Sequence, residues 1–337
     1  MAADVNRKVV LAKRPEGMPT LECFELVEEP IASPGDGQVV IVGEHLSIDA
    51  FIRTTLSELS FHGAVPIGGT LAALGAGRIL ESTHPEFKPG DGVVAPLGAQ
   101  THSLLPVQLV QKVDEKRAPL RSYLGLLGMT TGLTAYFGMR DVGLVREGET
   151  VVVSAAAGAV GSVASQIAKI AGARVIGIAG GPDKKRFLEQ ELGLDAGIDY
   201  KGEDVAARLD ELAPDGIDVF FDNVGGELLD LVLDRIAERA RVVICGAISQ
   251  YQQEMSTGVR GPQLYLRLAE RYSRMEGFTV NHFSERFEEA ANDLASWHEQ
   301  GKLNVHEHIE EGIESFPGAL IKLFSGGHTG KLLVSLS

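Results

Sequence analysis

The sequence predicts an α/β protein in which a small β-barrel module is joined to a doubly wound parallel sheet, and three observations carry that reading. Residues 1 to about 122 hold short apolar and β-branched runs separated by tight, glycine-rich turns. From Tyr123 the period changes, and short strands begin to alternate with helical patterns. Between Glu147 and Tyr200 a strand, a glycine turn and a helix follow one another without interruption. A chain of 337 residues is long enough for two domains, each with its own core.

In the first module, Val5 to Leu11, Leu21 to Val27 and Gln38 to Leu46 are strand candidates, divided by turn clusters such as Ser33-Pro34-Gly35-Asp36-Gly37. Gly68-Gly69, the run Gly75 to Glu81 and the run Lys88 to Val94 continue the pattern of short strands and tight turns. In the second module, strands are expected near 151–154, 174–178, 197–199, 218–222, 241–245 and 277–280. Helices over 183–192, 203–212 and 226–237 occupy the gaps. Six strands separated by helices imply a doubly wound sheet. The last segment, 301–337, returns to strand-like runs at Leu303 to His308 and Lys331 to Leu336, and is expected to complete the first module.

The glycine turn carries the first chemistry. Val151 to Ser154 is a buried-strand run that stops at Ala155-Ala156-Ala157-Gly158-Ala159-Val160-Gly161-Ser162, and an apolar helical pattern follows at Val163, Ile167 and Ile170. Gly158 lets backbone approach a pyrophosphate, Gly161 lets the helix pack tightly, and the free N–H groups of the first turn face the anion. The first glycine of the usual fingerprint is Ala156 here. About 20 residues after such a turn, NAD-binding folds place Asp or Glu against the ribose hydroxyls. This chain has Ala179-Gly180-Gly181 there, with Lys184, Lys185 and Arg186 just beyond. A carboxylate would repel a 2′-phosphate and a lysine attracts one, so the expected cofactor is NADP(H). The bland alternative is that the basic triplet is only the solvated face of a helix.

Composition bounds the partners. Hydrophobic residues make up 44% and charged residues 23%, the balance of a soluble globular protein. A formal charge of −15 argues against a nucleic-acid or anionic-membrane surface. No apolar run approaches the length of a membrane span, and Met1 to Lys8 lacks a hydrophobic signal core, so a cytoplasmic protein is expected. Cys23 and Cys245 are the two cysteines, too few for a cysteine-based zinc site. His306-Glu307-His308 is the one close histidine pair; no third ligand stands beside it, and an exposed strand or loop is the expectation.

Further motifs stand in a fixed order along the chain. They are Leu46-Ser47-Ile48-Asp49 with Arg53, Leu133-Thr134-Ala135-Tyr136-Phe137-Gly138, Phe221-Asp222-Asn223-Val224-Gly225-Gly226, the run Cys245 to Tyr251, Glu276-Gly277-Phe278 and Gly330-Lys331. With the Ala-Ala-x-Gly-Ala-Val-Gly-Ser turn, they resemble the medium-chain dehydrogenase/reductases over nearly the whole chain. Within them the chain resembles the zinc-free leukotriene B4 dehydrogenase, prostaglandin reductase and curcumin reductase group. The resemblance implies a GroES-like β-barrel catalytic domain over 1–122, a Rossmann NADP-binding domain over 123–300, and a return to the catalytic domain over 301–337. It implies a homodimer formed through an exposed edge strand of the cofactor domain.

Carried over position by position, the resemblance implies cofactor contacts at Gly158, Ala159, Val160 and Gly161, at Gly181 and Lys184, and at Tyr200 and Asn223. It adds the loop of Cys245, Gly246, Ala247, Ile248, Ser249 and Tyr251, and then Phe278 and Val280. Thr134 resembles the residue that helps fix the nicotinamide amide. Phe51, Tyr265 and Phe283 are expected to shape the substrate pocket. Three departures are visible. The family's Asp-Pro-Tyr-Met-Arg appears as Asp49-Ala50-Phe51-Ile52-Arg53, which removes a pocket hydroxyl. His328 stands where the family has Asn before x-Gly-Lys, though histidine also donates a hydrogen bond. The stretch Gly128-Met129-Thr130-Thr131-Gly132 is one residue longer than the family pattern.

A chain with no zinc ligand set lacks the Lewis acid that simple alcohol oxidation uses. A conjugated carbonyl offers another route, with hydride adding to the β-carbon and charge moving onto the carbonyl oxygen, where a donor must stabilise it. Tyr251 is the candidate donor, as hydrogen-bond partner of the oxygen or source of the α-proton, with water as the alternative source. The expected activity is NADPH-dependent reduction of the C=C bond of α,β-unsaturated ketones or aldehydes, with a small-molecule enone as partner. The alternatives are an NADPH-dependent quinone reductase and a non-catalytic NADPH-binding protein.

Overall fold

The computed structural model describes residues 5–58, 60, 62–251 and 259–336. In chain order the strands are β1 (Val5–Leu11), β2 (Phe24–Pro30), β3 (Gln38–Ser47), β4 (Gly75–Ser82), β5 (Gly92–Ala95), β6 (His102–Pro106), β7 (Gln111–Lys112), β8 (Thr150–Ser154), β9 (Arg174–Ala179), β10 (Ala196–Asp199), β11 (Ile217–Asp222), β12 (Ile236–Ile244), β13 (Arg274–Gly277), β14 (Glu307–Glu311) and β15 (Lys331–Ser335). They form a β1–β2 hairpin, a mostly antiparallel barrel sheet of order β14-β15-β3-β4-β5-β7 with β6 also on β3, and a parallel sheet of order β10-β9-β8-β11-β12-β13. The reversal of order beside β8 is the topological switch point at which open α/β sheets bind ligands beyond the strand carboxyl ends.

The parallel sheet follows from period-two burial on both faces. Val151, Val153, Val175, Val219, Phe221 and Val243 face one core, which helix Ala159–Ile170 covers. Val152, Ile176, Ile178, Ile198, Phe220 and Val242 face the other. Val9, Ile41, Leu46, Ile79 and Val93 fill the barrel, which helix Phe316–Ser325 closes with Phe316 and Leu320. The C-terminal return is as expected: β15 pairs antiparallel with β3, Leu333 opposite Ser47.

Several expected elements move, each for a local reason. The second strand begins at Phe24, because Leu21–Cys23 closes a 3₁₀ turn, Cys23 N to Thr20 O at 3.0 Å. The helix expected over 226–237 ends at Leu233, and β12 starts early, because Ile236 already pairs with Ile217. The strand expected at 277–280 runs 274–277 instead, because its ladder with β12 ends at Ile244 opposite Gly277. The run from Leu303 is not strand until Glu307, because the Gln166 side chain holds Asn304, Nε2 to its carbonyl and Oε1 from its amide, both at 2.8 Å. The helix expected over 183–192 is α-helical over Pro182–Arg186 and π-helical over Phe187–Glu191.

The Gly128–Gly132 stretch leads into a wide helical turn. Met129–Leu133 is a π-helical turn, with Leu133 N bonded to Gly128 O at 3.1 Å.

Candidate cofactor and substrate site

The first strand of the parallel sheet ends at Ser154, and the chain turns through Ala155 in the left-handed region, φ 47°. Ala156 fills the place of the first fingerprint glycine because β9 offers Gly177 opposite it: a β-carbon on Gly177 would lie 2.9 Å from that of Ala156. Gly161 has no such latitude, since a β-carbon there would stand 2.3 Å from the Ala155 carbonyl oxygen. The first backbone bond of helix Ala159–Ile170 is Ser162 N to Gly158 O, so the N–H groups of Ala159, Val160 and Gly161 precede the ladder and stay open. No side chain among the described residues caps this end. Gly330 crosses the turn, its N–H donating to Ala157 O at 2.8 Å beside a bridge to Gly158.

At the end of β9 the basic triplet divides. Lys185 pairs with Glu203 at 2.9 Å and Arg186 with Asp183 at 2.5 Å. Lys184 alone is left without a carboxylate among the described residues, half-buried, and burial and the neighbouring Lys201 lower its pKa. Tyr200 lays its ring over Gly180, where a β-carbon would meet it at 2.8 Å, and Gly181 turns at φ 98°. Asp199 organises this corner. Its Oδ1 accepts from the amides of Gly181 at 2.6 Å and Lys201 at 3.0 Å, and those hydrogen bonds, Gly181 first, hold its carboxyl below the usual range.

At the end of β11 a buried network fixes the facing loop. Asp222 is fully buried and accepts from Ser154 Oγ at 2.9 Å, Val224 N at 2.9 Å and Gly225 N at 3.0 Å. Burial raises its carboxyl pKa. Asn223 donates Nδ2 to Ser154 O at 2.7 Å and takes Ile248 N on its own carbonyl at 3.1 Å. Cys245 N and Gly246 N bond to Asp222 O, and Ser249 Oγ bonds to Val224 O at 2.6 Å. Tyr251 folds back over this loop, its phenol oxygen accepting from Ala247 N at 3.2 Å. Burial pushes the phenol above its ordinary value, and the neighbouring Cys245 thiol is pushed up to about 12 for the same reason.

An aromatic wall follows. Phe278, just past β13, meets Phe283 edge-on at 6.2 Å, and Phe283 stacks on Phe137 at 4.6 Å. Gly138 permits this, since a β-carbon there would lie 2.5 Å from the Phe221 ring and 2.8 Å from that of Phe278. Val280 packs against the same core. Thr134 donates its hydroxyl to Met129 O at 2.7 Å. Phe51 belongs to the barrel side and packs against His62 at 5.3 Å. Tyr265 stands apart from these rings: it is 56% exposed, on a segment tied to Asp230 through Gln263 N and Leu264 N.

His328 is 9% exposed and its Nδ1 has no hydrogen-bond partner among the described residues. Burial first, then the charges of Lys184 and His308, push this ring down to about 4. Three residues on, Lys331 is 1% exposed and pairs with Asp49 at 2.7 Å, and Asp49 also accepts from Ser47 Oγ. Ser154, Asp222, Asp199 and the Asp49–Lys331 pair are the residues that sequence reasoning passed over as functional. A signal existed for three of them, since Ser154, Asp199 and Asp222 each close a strand of the parallel sheet. His306 and His308 are separately engaged, one edge-on to Phe187 and the other on Glu310 at 3.0 Å. Among the described residues no group of three or more His, Cys, Asp or Glu is placed to hold a metal ion.

Open helix amides at one end and an unpaired lysine at the other fit a dinucleotide carrying an extra phosphate. The chain matches a family model described as the N-terminal domain of oxidoreductase over residues 7–113, and one described as zinc-binding dehydrogenase over 159–297. It is 37% identical to the NADPH-dependent curcumin reductase of Escherichia coli (strain K12), over 98% of this chain and 97% of that protein. It is 36% identical to the 2-alkenal reductase (NADP(+)-dependent) of Nicotiana tabacum, over 100% and 99%. The crystal structure of CurA in complex with NADPH from Vibrio vulnificus superimposes with a TM-score of 0.92 at 36% identity, covering 98% of this chain and 99% of that one.

Proposed function

The chain belongs to the zinc-independent medium-chain dehydrogenase/reductase family, and from that premise we propose that it reduces the C=C bond of α,β-unsaturated ketones or aldehydes with NADPH. The observation that carries the cofactor half is Lys184, left without a counter-ion among the described residues while its two basic neighbours are paired. When bound, NADPH supplies the hydride that adds to the β-carbon of the substrate. Gly158 and the open amides of Ala159, Val160 and Gly161 receive the pyrophosphate, and Lys184 with Tyr200 and Gly181 receives the 2′-phosphate ribose. Asn223 and the loop of Cys245, Gly246, Ala247, Ile248 and Ser249 line the dinucleotide, with Phe278 and Val280 opposite. Thr134 and His328 flank its nicotinamide half.

Tyr251 is the residue we assign to the carbonyl oxygen. Its phenol oxygen already accepts a backbone bond from Ala247, and burial keeps it protonated, so its O–H is available to donate. A donor there stabilises the enolate oxygen or delivers the α-proton. Phe51 and Phe283 bound the substrate space with apolar rings, and we place Tyr265 at its outer rim. The test is loss of NADPH absorbance against a panel of enones, alkenals, quinones and simple ketones, with NADH as control. Enone turnover preferring NADPH supports the reading. Quinone-only turnover points instead to a quinone reductase, and saturable NADPH binding with no turnover to a binding protein.

We propose the division 1–122, 123–300 and 301–337, which keeps β1–β7, β8–β13 and β14–β15 in separate segments. We propose further that the protein is a cytoplasmic homodimer. Among the described residues strand β13 is paired on one side only, by β12, and its other edge is available for sheet continuation. Light scattering should return twice the 35.9 kDa chain mass, and a monomer at micromolar concentration would refute the dimer.

A further inference from the structure

The phosphate corner holds one more cation than the reading above uses. Lys201 follows Tyr200 at the end of β10, and its backbone N–H shares Asp199 Oδ1 with the N–H of Gly181. That shared acceptor pins the turn carrying Lys201 to the turn that opens the Lys184 helix. Lys184 senses the charge of Lys201, which disfavours its own protonated form. The carboxylates nearby do not relieve this. Asp199 is occupied by backbone amides, Glu203 holds Lys185 and Arg208, and Asp183 holds Arg186. Among the described residues, Lys184 and Lys201 therefore share a corner with no anion of their own. Two like charges held together in this way are mutually unfavourable until an anion joins them. A phosphate monoester, with three acceptor oxygens and close to two negative charges, is the group that satisfies both.

We propose that Lys201 is a second ligand of the cofactor's 2′-phosphate, acting with Lys184 as a two-lysine clamp whose jaws Asp199 aligns. The proposal rests on the NADP(H) reading and deepens it. Lys184, the more buried of the two, would hold the phosphate from the inside. Lys201, solvent-exposed, closes over the phosphate from the outside.

Calorimetry separates the two lysines, with 2′,5′-ADP and 5′-AMP as probes beside NADPH and NADH. Lys201→Ala should weaken 2′,5′-ADP and NADPH by about tenfold, the size of one charge-assisted contact, and leave 5′-AMP and NADH where they were. Lys201→Arg should restore most of the loss. The salt dependence of 2′,5′-ADP binding should flatten in Lys201→Ala, because one screened contact is gone. If Lys201→Ala binds every probe like the parent while Lys184→Ala loses its preference for the phosphorylated ones, the clamp is refuted and the NADP(H) reading stands. If neither substitution touches that preference, both fall. Lys201 is exposed and makes no side-chain bond among the described residues, so both variants are expected to fold, which an unchanged melting temperature verifies.

Discussion

A tyrosine and a histidine concentrate the chemistry at the scale of single residues. Tyr251 has its phenol above the ordinary value through burial, so it stays protonated across the neutral range. Tyr251→Phe should lower kcat by about a hundredfold with little change in KM, measured on the best enone of the panel. An unchanged kcat would assign the proton to water. His328 gives a stability prediction whose sign follows from burial. Its ring titrates at about 4 when folded, against about 6.5 when unfolded. Above pH 6.5 both states are neutral and the residue contributes no pH dependence. As pH falls below 6.5 the unfolded chain takes up a proton that the folded protein refuses, so stability drops until pH 4. His328→Asn should therefore lose about 2 kcal/mol less than the parent between pH 7 and pH 5 in urea unfolding. Parallel losses in the two proteins would show that the ring is protonated in the fold.

The glycine turn and its helix show how elements set what residues are allowed to do. Both Gly158 and Gly161 belong to the legible motif, yet the structure gives them different tasks. A β-carbon at Gly158 meets only the Ala155 oxygen at 3.2 Å, whereas one at Gly161 collides with backbone at 2.3 Å. Gly161→Ala should destabilise the protein by about 1 to 3 kcal/mol, because turn and helix must part. Gly158→Ala should leave the melting temperature near that of the parent and still weaken NADPH, because the methyl group would crowd the backbone turn assigned to the pyrophosphate. Thermal melts and NADPH titrations on the two variants distinguish fold from ligand. A turn that tolerated Gly161→Ala without loss would contradict the packing described here. The same turn explains why Ala156 is admissible: the space is made by Gly177 on the neighbouring strand, a pairing no local motif records.

The C-terminal return ties separated segments of the molecule together. Gly330 bonds to Ala157 in the cofactor turn, and Lys331 reaches Asp49 at the start of the segment that carries Phe51. Cofactor turn, C-terminal strand and substrate-side helix are thus linked through two consecutive residues. Lys331→Met leaves a buried carboxylate with Ser47 as its one remaining side-chain partner among the described residues, and should cost about 3 to 5 kcal/mol in urea unfolding. The double variant Asp49→Asn, Lys331→Met should recover part of that cost, since no charge is then stranded. Equal stability of the single and double variants would mean that the pair contributes packing and no electrostatics.

How much was legible in the sequence depended on the range of the interaction involved. The parallel sheet, its glycine turn and the barrel strands at 5–11 and 38–46 were readable because apolar period and turn chemistry are local properties of consecutive residues. The choice of a phosphate-bearing cofactor was readable too, from a missing carboxylate and a lysine at one strand end. Tertiary structure alone decided which cation of the triplet is free, since Lys185 and Arg186 are claimed by Glu203 and Asp183. It alone brought Asp222 under Ser154, Asp49 against Lys331 and Lys201 beside Lys184. Those are contacts between chain segments far apart or on different strands, and their energies come from burial and pairing that exist only once the layers have packed.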